Sequence, residues 1–150
     1  MYGKKASKWL YLRKHFIRIY SAYEVFQVKV YIKEEICQGI LDFFKYIHPK
    51  EGILLLRGRK FKDGIIIEEV VIPPKALHGE GFSSFPIYML PVDFSIVGLA
   101  HSHPSGALNP SPQDLNNFYG KIMMIACPPY TYKTLAFFSK KGEKIEYSLV

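Results

Sequence analysis

Two histidines, a serine and an aspartate lie close together in the segment from Gly98 to Asp114. His101 and His103 are separated by a single residue, and Ser111 precedes Asp114 by three positions. Imidazole nitrogens and carboxylate oxygens are preferred zinc ligands, and a set of three protein ligands leaves a fourth tetrahedral position for water. These residue types therefore predict a hydrolytic zinc site held by His101, His103 and Asp114.

A short apolar run precedes the histidines and predicts the strand that carries them. Residues 94–100 are apolar or β-branched and are bounded by Pro91 and Pro104. Residues two apart in a strand face the same way. If the strand continues through His103, both imidazoles project from one face, where they can reach one ion.

The Ser111-Pro112-Gln113-Asp114 stretch predicts a helix start, with serine at the N-cap, proline at the first helical position and an acid at the third. This start would aim the aspartate back at the end of the strand. Each signal also has a purely structural interpretation, because a histidine near a strand end is often only hydrogen-bonded and Ser-x-x-Asp is often only a capping box. Their combination in a chain with five histidines favours the metal site.

The spacing His-Ser-His, seven further residues, then Ser-x-x-Asp resembles the signature of the JAMM (MPN+) metalloprotease family. The resemblance covers about residues 28–150. It implies an α/β fold with a mixed β-sheet flanked by helices, similar to that of the cytidine deaminases. The family pattern also includes an upstream glutamate, which Glu51 matches. The resemblance implies that Glu51 is the general base for the zinc-activated water and that the Ser111 hydroxyl stabilises the oxyanion.

The same resemblance implies a substrate class, namely a ubiquitin-like protein modifier whose Gly-Gly end is joined to a lysine or precedes extra residues. In the family, the extended tail of the modifier lies down as an added strand next to the active site. The Gly- and Ser-rich segment 75–88 falls in this region. We therefore expect Gly81, Phe82, Ser83 and Ser84 to contribute substrate contacts.

The ligand pattern separates the chain from two other classes of protein. Zinc deaminases use His-x-Glu followed by Pro-Cys-x-x-Cys, whereas His101-Ser-His103 lacks that glutamate and Cys127 lacks a partner cysteine. Non-catalytic MPN scaffolds typically lack the zinc ligands, which this sequence keeps. A third alternative, a nucleic-acid-associated protein similar to the RadC-type JAMM relatives, stays open.

The 150 residues predict a short extension at 1–23 and a catalytic domain at 24–150. The extension interleaves aromatic residues with six basic residues and no acid, so it holds most of the net charge of +7. It could bind nucleic acid or an acidic partner, or pack its apolar side on the domain or on a second subunit of a homodimer. No apolar run is long enough for a membrane span or a signal-peptide core, so we expect a cytoplasmic protein.

The remaining pattern predicts alternating strands with few helices. A helix is expected from Glu34 to about Tyr46, and a second from Ser111 to Tyr119. Asp63-Gly64 predicts a hairpin turn. Strands are expected at 26–32, 53–57, 65–72, 94–100, 121–127, 134–139 and 143–149.

Overall fold

The computed structural model of the protein describes residues 28–73 and 92–150. The extension at 1–23 and the segment 75–88 therefore lie outside the described residues. The elements in chain order are β1 (Lys29–Ile32), α1 (Glu34–Ile47), β2 (Ile53–Phe61), β3 (Gly64–Val71), β4 (Ile96–Ser102), α2 (Pro112–Asn116), β5 (Ile122–Ala126), a 3-10 turn (Tyr132–Thr134), β6 (Leu135–Phe138), β7 (Lys144–Ile145) and β8 (Tyr147–Leu149).

The strands form one mixed sheet in the order β7-β6-β5-β4-β2-β3-β1-β8. The pairs β1–β3, β1–β8 and β4–β5 are parallel, and the other pairs are antiparallel. With helices beside it, this sheet confirms the predicted α/β class. The two edge strands, β7 and β8, are separated in the chain by Glu146 alone, so the sheet curls until its edges approach each other.

That closure explains why the single strand predicted at 143–149 was wrong. The Val30 amide donates to the Glu146 carbonyl at 3.0 Å, which draws the following residues onto β1 as β8. The residues before Glu146 stay on β6 as β7. The residues predicted as one strand therefore form two, because β7 pairs with β6 and β8 pairs with β1.

Helix α1 covers one face of the sheet with a regular apolar stripe. Its buried residues Cys37, Ile40, Leu41 and Phe44 recur at helical spacing and pack into the larger of the two cores that the described residues form. Burying each large side chain of this kind stabilises the fold by about 1.5–3 kcal/mol. The helix ends at Ile47, and the chain then turns into β2.

Strand β4 lies inside the sheet, between β2 and β5, and its alternate residues enter opposite cores. Ala100 packs on the side of α1, whereas Leu99 packs in the smaller core on the other face. Only glycine fits at position 98, because an added Cβ would lie 1.9 Å from the Ile122 carbonyl oxygen of β5. Close pairing with β5 therefore fixes the position of β4, which leads into the two histidines.

Helix α2 is shorter than predicted and ends at Asn116 instead of Tyr119. Asparagine is a weak helix former, and Asn117 is the C-cap, with its amide bonded to the Gln113 carbonyl at 3.0 Å. Tyr119 leaves the helix to pack against the smaller core. Tertiary packing thus overrides the local helical pattern.

None of the helices among the described residues is both long and apolar enough to cross a lipid bilayer.

Candidate metal centre

The two histidines lie side by side at the carboxyl end of β4. His101 is 1% exposed, and the Nε2 atoms of His101 and His103 are 3.0 Å apart. Strand β4 ends at Ser102, but the His103 amide still donates to the Ala126 carbonyl of β5 at 2.8 Å. Because this pairing keeps the backbone extended, both imidazoles lie on the same face of the sheet.

The N-terminus of α2 brings Asp114 to the same place. The Ser111 hydroxyl accepts from the Asp114 amide at 3.1 Å, and the Asp114 Oδ2 atom accepts from the Ser111 amide at 2.6 Å. This reciprocal capping box fixes the carboxylate rotamer. The Asp114 oxygens then lie 3.5 Å from the His101 Nε2 atom and 3.3 Å from the His103 Nε2 atom.

These spacings fit a small tetrahedral cation. Ligands about 2.0–2.1 Å from a tetrahedral ion must be about 3.3–3.4 Å from one another. The two Nε2 atoms are 3.0 Å apart, Asp114 Oδ1 lies 3.5 Å from that of His101, and Asp114 Oδ2 lies 3.3 Å from that of His103. The three residues form a group that could hold a metal ion. Two imidazoles and one carboxylate therefore match a divalent metal in both chemistry and spacing.

A second layer of contacts orients His103. Its Nδ1 atom lies 2.7 Å from the Ala107 carbonyl oxygen, to which only a protonated Nδ1 can donate. The Nε2 atom of the neutral ring then presents its lone pair to a metal. The carbonyl reaches this position because residues 103–106 form a tight turn, in which the Gly106 amide bonds the His103 carbonyl and Gly106 adopts a φ of 88°.

The protonation states also suit metal binding. Burial by itself would raise the pKa of Asp114, but hydrogen bonds with His101, His103 and the Ser111 amide hold that pKa well below its usual range. Burial lowers the pKa of His101, which favours the neutral ring. Burial also opposes a charge on His103, but contacts with Asp114 and the Ala107 carbonyl raise its pKa. Metal binding at this site would displace any proton from the two Nε2 atoms.

Glu51 reaches the site through the register of β2 and β4. Ile53 of β2 pairs with His101 of β4 in antiparallel register. Continuing this register by two residues places Glu51 opposite His103, on the face that carries both rings. Its charge acts on both histidines, and its exposed side chain lines the same cleft. The structure therefore brings together all five residues on which the predicted chemistry depends.

A cleft of about 240 Å³ opens beside His103 and Asp114. Its lining residues are Glu51, His103, Ser105, Ala107, Asn109, Ser111, Gln113 and Asp114. None of the residues between His103 and Ser111 was among the predicted site residues. The role of Ala107 depends on its carbonyl, for which the side chain gives no signal. The polar side chains of Asn109 and Gln113, flanking Ser111, could have indicated a wall of the cleft.

The predicted substrate contacts at Gly81, Phe82, Ser83 and Ser84 lie outside the described residues, so they stay predictions.

Comparison with known proteins gives a consistent result. The family model described as prokaryotic homologues of the JAB domain matches residues 34–139. A protein from Haloferax volcanii described as a "probable metalloprotease" is 34% identical over an alignment of 103 positions that covers 64% of this chain and 64% of the relative. The match thus spans less than two thirds of that relative.

Two solved structures share the fold. A JAB1/MPN domain protein from Archaeoglobus fulgidus superposes with a TM-score of 0.59 at 29% identity, covering 79% of this chain and 97% of the other. A structure described as JAMM, a metalloprotease-like zinc site in the proteasome and signalosome, gives 0.58 at 28% identity, covering 82% and 97%.

Proposed function

The chain belongs to the family of prokaryotic homologues of the JAB domain, and on that premise we propose that it is a zinc metallopeptidase. Its proposed reaction is hydrolysis of the amide bond that follows the C-terminal Gly-Gly of a ubiquitin-like modifier. The observation that carries the proposal is the convergence of His101, His103 and Asp114 at ligand spacing, with Glu51 in the same cleft.

Zinc is the metal that best fits this donor set. Two imidazoles and one carboxylate leave an open tetrahedral position, which is the arrangement of catalytic zinc. A structural relative is described as having a metalloprotease-like zinc site. A non-catalytic scaffold is a weaker alternative, because such proteins typically lack the ligands that are present here. When bound, zinc would supply Lewis acidity that lowers the pKa of a water molecule and offsets negative charge on the substrate.

The residues of the chain then divide the remaining chemistry. The Glu51 carboxylate accepts a proton from the attacking water while the water oxygen bonds to the carbonyl carbon of the substrate. Glu51 then delivers that proton to the leaving amine as the C–N bond breaks. The Ser111 oxygen accepts a hydrogen bond from the Asp114 amide. The Ser111 O–H group therefore remains available to donate a hydrogen bond to the developing oxyanion. Asp114 and His101 are buried, which excludes bulk water from the ligand side of the cleft.

The shape of the cleft supports a glycine-rich substrate. Its volume of about 240 Å³ is below the range of about 300–1,000 Å³ that is typical of small-molecule pockets. Its wall includes the small residues Ser105 and Ala107. A segment without side chains can approach such a wall closely, whereas larger residues cannot. These features favour a Gly-Gly end over a peptide with larger side chains.

A cleavage assay with zinc-loaded protein tests the proposal. The substrates are fusions in which a ubiquitin-like protein ending in Gly-Gly precedes a short peptide, or is joined to a lysine side chain. We expect one cut, immediately after the second glycine, detected by mass spectrometry. A chelator should stop the reaction and added zinc should restore it.

The matched control substrate carries Ala-Ala in place of Gly-Gly, and we expect it to be cut much more slowly. Equal cleavage of both substrates would refute the proposed specificity. Full activity after complete removal of metal would refute the zinc-dependent reaction itself.

Substitution of Ser111 separates its role as a helix cap from its role in the reaction. We expect Ser111→Ala to lower the free energy of unfolding by about 1 kcal/mol, whereas Ser111→Gly should cost only a few tenths. Both variants lack the hydroxyl, so both should lose about 100- to 1,000-fold in kcat. Thermal unfolding and steady-state kinetics measure the two effects. A near-normal kcat in the glycine variant would show that Ser111 acts only as a cap.

A further inference from the structure

The residue between the two histidines faces the opposite side of the sheet. Because side chains alternate along β4, Ser102 points into the α1 side while the imidazoles point into the metal site. Ser102 is fully buried at 0% exposure. A hydroxyl at such a position must find hydrogen-bond partners, or its burial costs about 1–3 kcal/mol.

Its partner is the peptide that follows Glu51. The Ser102 Oγ atom accepts from the Gly52 amide at 2.9 Å, and the Ser102 amide donates to the Gly52 carbonyl at 3.1 Å. Both polar groups of Gly52 are therefore bonded to one residue of the histidine strand. Since Glu51 precedes Gly52 directly, the main chain that carries the proposed base is tied to the strand that carries the proposed ligands.

Two further residues extend this contact. Burial raises the pKa of Tyr130, and its interaction with the Ser102 side chain opposes that rise. The Tyr130 hydroxyl also lies 3.0 Å from the Nδ1 atom of His48. Tyr130 is 6% exposed and precedes the 3-10 turn, whereas His48 caps the end of α1. The network thus joins the end of α1, the connection before β6 and the end of β4.

Gly52 packs closely against the last turns of α1. An added Cβ would lie 2.3 Å from the Ile47 Cδ1 atom and 3.0 Å from a Phe44 ring carbon, both on the last turns of α1. The peptide after Glu51 is therefore confined on one side by α1 and on the other by the Ser102 hydroxyl.

We propose that Ser102, supported by Tyr130, is a positioning residue that fixes the Glu51–Gly52 peptide and so holds the Glu51 carboxylate beside the histidine pair. This inference rests on the proposed function, in which Glu51 transfers the proton. It gives a reason why a hydroxyl-bearing residue stands between the two histidines, although its side chain points away from the metal site.

The test removes one hydroxyl at a time from the zinc-loaded protein. We expect Ser102→Ala and Tyr130→Phe to lower kcat by about 10- to 100-fold, because small misplacements of a reacting group have effects of this size. KM and zinc content should stay close to the parent values. Ser102→Thr, which keeps the hydroxyl, should restore most of kcat. In Ser102→Ala, the backbone order parameters of Glu51 and Gly52 should fall from about 0.85 towards 0.6.

Tyr147→Phe is the matched control, because it also removes a partly buried tyrosine hydroxyl, which is bonded to the Tyr132 carbonyl at 3.0 Å. It should leave kcat and the order parameters unchanged. Unchanged order parameters at Glu51 and Gly52 in Ser102→Ala overturn the positioning role, whether or not the parent cleaves a substrate. Normal kcat in Ser102→Ala also overturns it. If the parent cleaves no substrate but the order parameters of Glu51 and Gly52 fall in Ser102→Ala, the proposed function is refuted and the positioning role stands.

Discussion

Replacement of Asp114 by asparagine is expected to abolish both metal binding and hydrolysis. The substitution keeps the size of the side chain and an oxygen that can accept from the Ser111 amide, so the helix cap survives. It removes the negative charge that lies 3.3 Å and 3.5 Å from the two histidine nitrogens. Loss of a residue that only orients a ligand costs about 10- to 100-fold in metal affinity, so loss of a ligand should exceed about 100-fold.

Competition with a chromophoric chelator measures the affinity, and elemental analysis measures the zinc content. Asp42→Asn is the matched control, because Asp42 is an exposed aspartate of α1 that accepts a hydrogen bond from Gln38. The control should bind zinc like the parent. An Asp114→Asn protein that retained zinc as tightly as the control would remove Asp114 from the ligand set.

Replacement of Glu51 by glutamine should abolish hydrolysis while the metal stays bound. An amide cannot accept the proton of the attacking water, and loss of a positioned general base typically costs about 100- to 10,000-fold in rate. Glu51 is not among the three residues grouped as potential ligands, so zinc content should match the parent. Steady-state kinetics on the Gly-Gly fusion and elemental analysis of the same preparation give the two values.

Glu35→Gln provides the control, since Glu35 is an exposed acid in the first turn of α1, at the opposite end of the helix from Glu51. This variant should keep full activity. Cleavage at the parental rate by Glu51→Gln would exclude Glu51 as the base. Loss of zinc from that variant would instead assign Glu51 a role in holding the metal.

Much of the centre was predictable because its geometry is local. Alternation along a strand already places His101 and His103 on one face, and a serine followed by proline and an acid already predicts the cap that orients Asp114. The apolar stripe of α1 is likewise set by residues within a few turns of one another. These features depend on hydrogen bonds and side-chain directions within short stretches of chain.

The position of Glu51 was not predictable in this way. Viewed alone it is an exposed acid after a helix, and only a family resemblance singled it out. Its place beside His103 follows from the antiparallel pairing of β2 with β4, and the bond between Gly52 and Ser102 joins residues 50 positions apart. The Ala107 carbonyl, which orients His103, could not be predicted either, because every residue type has a backbone carbonyl.

The sequence by itself thus determined which residues could bind a metal, which local elements present them and what chemistry they suit. The tertiary structure alone decided that the base meets the ligands, that α2 stops at Asn116, and that the last apolar stretch divides between β6 and β1. The physical reason is that capping and alternation act between near neighbours, whereas strand pairing and packing depend on segments that come together only when the whole sheet forms.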